Sequence, residues 1–251
     1  MNLSVVIITK NAGDVIHDCL VSVDGLWSEL LVADDHSTDK TLGNVLRFGG
    51  KLIHLDGLNL GERKKKLVSM AKFEWVLVID SDERVSRELY TEIQNIVTSK
   101  KIKEVGFSIP YQNYVFGKPV HFGGERYSKV RLFRKKYGTV SAVPLHEEIE
   151  IEGLIGKTRG VLHHHSYRNL SQLFNKFTGY AGVAAQQMYD VGERVTVQKL
   201  LLYGPHMFWA RFWEDRGWKD GSRGFVLAFA FGYLESLTYW LLAWRRLVHE
   251  K

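Results

Sequence analysis

The sequence is poor in cysteine and proline. Cys19 is its only cysteine, which excludes a disulfide framework and any zinc centre built on thiolates. Four prolines in 251 residues leave long stretches free to form helix and strand without interruption. No glycine-rich phosphate cradle follows the first strand-like run. Its continuation is Lys10-Asn11-Ala12-Gly13-Asp14, neither GxxxxGK[ST] nor GxGxxG, so P-loop and dinucleotide fingerprints are excluded. Internal repeats and low-complexity segments are lacking too. Charge of one sign is in small excess, 34 Lys and Arg against 28 Asp and Glu. A quarter of the residues are charged and 45% are hydrophobic, which excludes a disordered or fibrous chain. A net charge of +6 leaves phosphorylated substrates, anionic lipid and nucleic acid all open. Met1-Asn2-Leu3-Ser4 has no positive charge and the apolar run at 5–8 is short. No signal peptide is expected, and a cytoplasmic start is.

What is present is an alternation of strand and helix patterns over the first hundred residues. Leu3–Thr9 is β-branched and reads as a buried strand. Val15, Ile16, Cys19, Leu20 and Val23 fall at helix spacing. Residues 29–33 form a second strand pattern, stopping at Asp34-Asp35, and Ser37-Thr38-Asp39 reads as the cap of a helix through Arg47. Strand 51–55, helix 61–71, strand 75–79 and helix 86–98 follow. Such alternation predicts a parallel sheet covered by helices. Beyond residue 100 the pattern is mixed. Residues 105–110 and 129–133 read as strands joined by the Gly- and aromatic-rich stretch 111–127, and a further strand reaches His163-His164-His165. From Leu170 helical patterns dominate. The expected domains are an α/β domain over 1–168, with a nucleotide-binding half to residue 100 and an acceptor half after it, and a helical extension over 169–251.

In open parallel sheets ligands bind beyond the carboxyl ends of the strands. Those ends carry Thr9-Lys10-Asn11, Asp34-Asp35 and Asp80-Ser81-Asp82, three polar clusters that make one crevice. Carboxylates without glycine suit a hard cation bridging phosphates. Asp80 and Asp82 serve equally well, on the tripeptide alone, as caps for the next helix.

Three segments carry a resemblance: Val5-Val6-Ile7-Ile8-Thr9-Lys10-Asn11, then Glu29 through Asp34-Asp35-His36-Ser37-Thr38-Asp39-Lys40-Thr41, then Glu74-Trp75-Val76-Leu77-Val78-Ile79-Asp80-Ser81-Asp82-Glu83. In this order and spacing they resemble the family 2 inverting glycosyltransferases of the GT-A fold, a Rossmann-like nucleotide-diphospho-sugar transferase architecture. The chain is similar in particular to the branch with bacterial lipopolysaccharide-core enzymes. Pro144-Leu145-His146-Glu147-Glu148 resembles that branch's HE segment, His164-His165-Ser166-Tyr167 its HYS segment, and Asp220-Gly221-Ser222-Arg223-Gly224 its DG..G turn. Two positions depart from the pattern. Ala12 stands where an acidic residue or Asn is usual, and Lys65 replaces the second Asn of N-x-G-x-x-x-N.

The resemblance implies that Thr9, Asn11 and Asp35 hold the nucleotide, with Asp35 accepting from the N3–H of uracil. Asp80 would lie by the ribose or the cation, Lys65 by the diphosphate, and Asp82 on a Mg²⁺ or Mn²⁺ ion. His164 reads as a third ligand or as a structural histidine. Glu147 is the expected general base of an inverting hexosyl transfer, with Glu148 as its neighbour and rival. Arg63-Lys64-Lys65-Lys66 reads as a solvated face from which one cation reaches diphosphate; Arg131 or Arg134 is a further phosphate contact. The implied partners are a nucleotide-sugar, most simply a UDP-sugar, and a glycan or lipid-linked acceptor of the cell envelope, with no nucleic acid. A sugar-nucleotide pyrophosphorylase and a non-catalytic sugar-nucleotide-binding protein of the same fold are the competing readings.

The run from Phe225 to Trp244 is almost wholly apolar, with Glu235 at its middle and Arg245-Arg246 after it. A carboxylate at that depth argues against a span. Phe208, Trp209, Phe212 and Trp213 recur at helix spacing. The tail therefore reads as an interfacial or packed helical region, and the protein as peripheral on the inner face of the cytoplasmic membrane.

Overall fold

The computed structural model describes residues 2–141 and 148–249. Two compact units divide the chain: residues 1–111 with 127–164, and residues 112–126 with 165–251.

The first unit is built on β1 (Leu3–Thr9), buried along its whole length, as a central strand covered on both faces must be. Around it run α1 (Ile16–Val23), β2 (Glu29–Asp34), α2 (Thr41–Arg47), β3 (Lys51–His54), α3 (Leu60–Met70), β4 (Trp75–Asp80), β5 (Glu83–Val85) and α4 (Arg87–Thr98). The sheet order β3-β2-β1-β4 is parallel, and β1 sits between β2 and β4 in register. Beyond β4 come β6 (Gly106–Val115), whose last residues and the following β7 (Lys118–Val120) belong to the second unit, and β8 (Ser128–Arg134); β8 pairs antiparallel with both β4 and β6. The remaining strands are β9 (Gly138–Val140), β10 (Ile149–Ile151), β11 (Ile155–Lys157) and β12 (Leu162–Tyr167). One apolar cluster fills the face under α1 and α4, including Ile7, Ile16, Leu20, Leu77 and Ile93; another fills the face under α3, including Val6, Leu31, Leu67, Val76 and Phe133.

Local chemistry explains several boundaries. α3 opens with a capping box in which Asn59 accepts from the Glu62 N–H and Glu62 accepts from the Asn59 N–H. Ser86 Oγ accepts from the Leu89 N–H to start α4. The expected cap of α2 is displaced: the helix begins only at Thr41, and Asp39 accepts from the Thr41 and Gly13 N–H groups instead, joining two loops. The stretch 111–127 is also more ordered than its composition suggests. β6 continues to Val115 and turns back into β7 through Phe116 and Gly117, both at positive φ, the conformation a two-residue I′ hairpin needs.

The second unit holds α5 (Leu170–Asp190), α6 (Val197–Trp209) and α7 (Ser222–His249). Leu173, Phe177, Leu227 and Ala230 form its main apolar cluster. The DG..G turn has a structural duty here. Asp220 accepts from the backbone N–H groups of His121 and Phe122, at 2.9 and 2.8 Å. A Cβ on Gly224 would fall 1.8 Å from the Gly217 carbonyl oxygen, so backbone would have to move. Gly224→Ala is expected to cost about 1–3 kcal/mol, as overpacking does, and thermal unfolding will read it as a lowered midpoint.

Candidate active site

At the carboxyl ends of β1, β2 and β4 lies a cleft of about 420 Å³ lined by Ile8, Thr9, Lys10, Asp35, Leu58, Leu60, Arg63, Asp80 and Ser81. Three of the sequence-predicted residues, Thr9, Asp35 and Asp80, are thus brought together. The Thr9 hydroxyl is buried and has no hydrogen-bond partner among the described residues, a state a buried polar group does not keep for free. Asp35 is held from two sides, by Lys10 Nζ at 2.8 Å and Arg63 Nη1 at 2.7 Å. The Lys10 hydrogen bond, with that of Arg63, lowers its pKa below the usual carboxylate value. Each of its oxygens retains a lone pair for a further donor.

Asn11 and Lys65 are placed otherwise. The Asn11 carboxamide oxygen accepts from the Thr38 N–H at 2.9 Å and its own N–H donates to Ser37 Oγ at 2.7 Å. The residue sits at φ 46°, which Asn tolerates, and braces the loops behind the cleft. Lys65 is exposed. The helix turns about 100° per residue, so the basic run presents Arg63 and Lys64 to the carboxylates and points Lys65 into solvent.

Beneath the cleft is a buried charged network that sequence reading did not assemble. Lys64 Nζ lies 2.7 Å from Asp80 Oδ1, and Arg131 Nη2 lies 3.0 Å from Asp80 Oδ2 and 3.1 Å from Glu83 Oε1. Tyr111 donates its hydroxyl to Glu83 Oε1 at 2.8 Å and accepts from Arg131 Nε, while Glu83 Oε2 accepts from the Asp80 N–H at 2.9 Å. Burial opposes ionisation of Asp80, yet the charges of Lys64 and Arg131 outweigh it and hold the carboxyl well below the usual range. For Glu83 burial wins, and its pKa is raised. Cys19 is buried against these groups; desolvation, then Glu83, Asp82 and Asp80, push its thiol up, so it is no nucleophile.

Asp82 stands apart from Asp80. β12 pairs antiparallel with β5, setting His164 opposite Glu83, and this brings His164 Nε2 to 3.6 Å from Asp82 Oδ1. Both side chains remain partly exposed. A carboxylate and an imidazole suit a divalent cation whose other positions are filled by ligand oxygens and water, as is usual for hard cations beside phosphates. Among the described residues no group of three or more His, Cys, Asp or Glu converges. Arg131, one of two expected phosphate contacts, belongs to the network; Arg134 pairs with Glu74 and lies over the Trp75 ring. Glu147, the expected base, falls outside the described residues, whereas Glu148 is described and exposed. The signals for Lys64, Glu83 and Tyr111 are a basic run, a third acidic residue directly after Asp82 and one tyrosine among eleven; none is specific without the fold.

The chain has relatives among known proteins. Residues 4–144 match the model of the family described as Glycosyl transferase family 2. An uncharacterized glycosyltransferase of Rickettsia prowazekii is 27% identical over 252 residues, covering 94% of this chain and 84% of its own. One from Rickettsia conorii is 27% identical, at 94% and 88% coverage. Among solved structures, S. aureus TarS 1–349 in complex with UDP-GlcNAc superposes with a TM-score of 0.50 at 13% identity, covering 100% of this chain and 93% of that one, a likeness of fold. The architecture is GT-A, with added C-terminal helices. With the family model covering more than half of its length, the chain belongs to glycosyl transferase family 2.

Proposed function

We propose that this glycosyltransferase moves a hexosyl group from a UDP-sugar to a hydroxyl of a cell-envelope glycan or lipid-linked acceptor, with inversion, at the cytoplasmic face of the membrane. The observation that carries the reading is the cleft itself: Asp35 held ionised, Asp80, and a Thr9 hydroxyl without a partner among the described residues, on the strand that lies between theirs in the sheet. A carboxylate with a spare lone pair is a fitting acceptor for the N3–H of uracil. Arg63, on the wall of the cleft, supplies positive charge for a diphosphate, the role the resemblance implies for Lys65.

Asp82 and His164 are the residues that would hold Mg²⁺ or Mn²⁺. Such an ion supplies neutralisation of the charge that develops on a departing diphosphate. Asp80, kept ionised by Lys64 and Arg131, orients the nucleotide. In a single displacement at the anomeric carbon, the attacking hydroxyl must give up its proton, and Glu147 of the His146-Glu147 pair is assigned to take it.

Calorimetric titration of UDP with and without Mn²⁺ tests the site. Binding is expected to tighten about tenfold or more with the metal, some 1.4 kcal/mol, and Asp82→Ala is expected to abolish that gain. Equal binding under all of these conditions would remove Asp82 from the site.

A further inference from the structure

α6 is built inside out. Of its thirteen residues, VQKLLLYGPHMFW, only Gly204 is buried, and the sole ionisable residues are Lys199, Tyr203 and His206. Val197, Leu201, Leu202 and Trp209 all stand exposed along it, with Trp213 one turn beyond its end. At about 100° per residue Leu202, Trp209 and Trp213 fall within about 40° of one another, opposite the side that carries Gly204, whereas Val197 and Leu201, in the first turns, lie toward the Gly204 side. Loose packing does not account for the arrangement. A Cβ on Gly204 would lie 1.8 Å from Ser236 Oγ and 2.8 Å from the Gly232 carbonyl, so α6 is seated against α7 at backbone distance. Tyr203 packs edge-on to Tyr239, and Phe208 to Phe225, on either side of that crossing.

Tryptophan usage adds an independent observation. Five of the seven tryptophans lie between residues 209 and 244, namely Trp209, Trp213, Trp218, Trp240 and Trp244, each 48–67% exposed. They are spread toward both ends of α7, a 28-residue helix that is about 42 Å long at 1.5 Å per residue. Hot spots for a protein partner cluster near one centre; a bilayer interface accepts a long, dispersed stripe of rings at headgroup depth. Residues 197–249 carry seven Lys and Arg against four Asp and Glu, and Arg216 and Lys219 are exposed beside Trp213 and Trp218. Glu214 and Asp215 lie between them, so the charge is net basic and not uniformly so. α7 is long and apolar enough to cross a membrane, with a mean hydropathy of 1.5. Yet Leu227, Ala230, Tyr239 and Leu242 on it are buried within the unit, and α6 occupies its middle.

We infer that the outward face of α6, carrying Leu202 and Trp209 and continuing to Trp213, is an interfacial anchor that inserts into the headgroup region of an anionic bilayer, with α7 as its support and not as a span. The inference refines the membrane placement proposed above and is independent of the donor chemistry.

Vesicle co-sedimentation of the full chain tests it without any sugar nucleotide, using phosphatidylcholine alone and phosphatidylcholine with phosphatidylglycerol. Binding is expected to the anionic vesicles, weaker to the neutral ones, with a blue shift of tryptophan emission. Leu202→Glu/Trp209→Glu changes two exposed side chains and is expected to lower partitioning by roughly 10²-fold while leaving thermal unfolding and UDP binding as they were. Wild-type protein that stays in the supernatant with both vesicles overturns the inference, as does a double variant that binds equally well. A wild-type dimer that the double substitution converts to monomer, without vesicle binding, assigns the face to a second copy and also overturns it. Resistance of the membrane-bound protein to alkaline carbonate would make α7 a span and reject the interfacial geometry. UDP binding that fails while vesicle binding holds would strike the donor reading alone.

Discussion

Arg131→Met is expected to lower the free energy of unfolding by about 3–5 kcal/mol, the usual consequence of removing one partner from a buried ion pair. The guanidinium is 8% exposed and faces Glu83, whose side chain is 1% exposed. Without it, Glu83 keeps, among the described residues, the neutral donors Tyr111 and the Asp80 N–H, and Asp80 keeps Lys64. Methionine fills much of the volume, so the loss is electrostatic more than steric. The pH dependence follows from Glu83. Its folded pKa is already raised by burial, and removing Arg131 raises it further. A carboxyl raised above its unfolded value of about 4.3 favours the folded state below that value and loses the advantage as pH rises through the folded pKa. The deficit of the variant against wild type should therefore be larger at pH 7.5 than at pH 5 in urea unfolding. Arg131→Met/Glu83→Gln should recover a good part of it, since the amide still accepts from Tyr111 without a charge. A deficit under 1 kcal/mol that is flat with pH would mean that water, not Arg131, compensates Glu83.

The parallel half of the fold was legible because its signals are local and strong. Leu3–Thr9 is β-branched throughout, and the strand ends are marked by Asp34-Asp35 and Asp80-Ser81-Asp82. These sequence clusters do come to one cleft, which is why Thr9, Asp35 and Asp80 were found together. Side-chain direction is less legible in the sequence. The resemblance implies a nucleotide contact for Asn11; in the structure its backbone lies at positive φ and its carboxamide oxygen accepts from the Thr38 N–H. Lys65 was read from its place in a motif, whereas the helix rotation presents Lys64 to Asp80.

Non-local pairing was invisible for a different reason. β5 is three residues long and carries no periodicity, yet its pairing with β12 is what sets His164 beside Asp82. Arg131 sits on a strand legible in the sequence, whereas Tyr111 falls in the stretch 111–127 that reads as a connection and is in fact part of β6; that both meet Glu83 depends on how β4, β8 and β6 lie side by side, which no window of sequence contains. The long apolar run at 225–244 was ambiguous in sequence between packing, lying on a membrane and spanning it. In the fold one side of that helix is buried in its own unit and the other shows Phe225, Phe229, Trp240 and Trp244, a division that only packing creates.

Glu147→Gln is expected to reduce sugar transfer by roughly 10²–10⁴-fold, the usual worth of a positioned acid–base group, while leaving UDP and Mn²⁺ binding intact. The amide keeps the size and polarity of the carboxyl, and the nucleotide is assigned to Thr9, Asp35, Arg63 and Asp80, so binding has no reason to change. The loss should fall on kcat and kcat/KM together, because the proton is taken only in the transition state. Asp82→Asn makes the contrast: it should weaken metal-dependent nucleotide binding as well as turnover. Glu148→Gln is the necessary companion, since Glu148 is exposed and its N–H donates to Ser141 Oγ at 2.8 Å; its side chain is expected to be dispensable. Near-normal transfer by Glu147→Gln with loss in Glu148→Gln would move the base by one residue. Near-normal transfer by both would assign the His146-Glu147 pair a structural duty and send the search for the base to another carboxylate near the cleft.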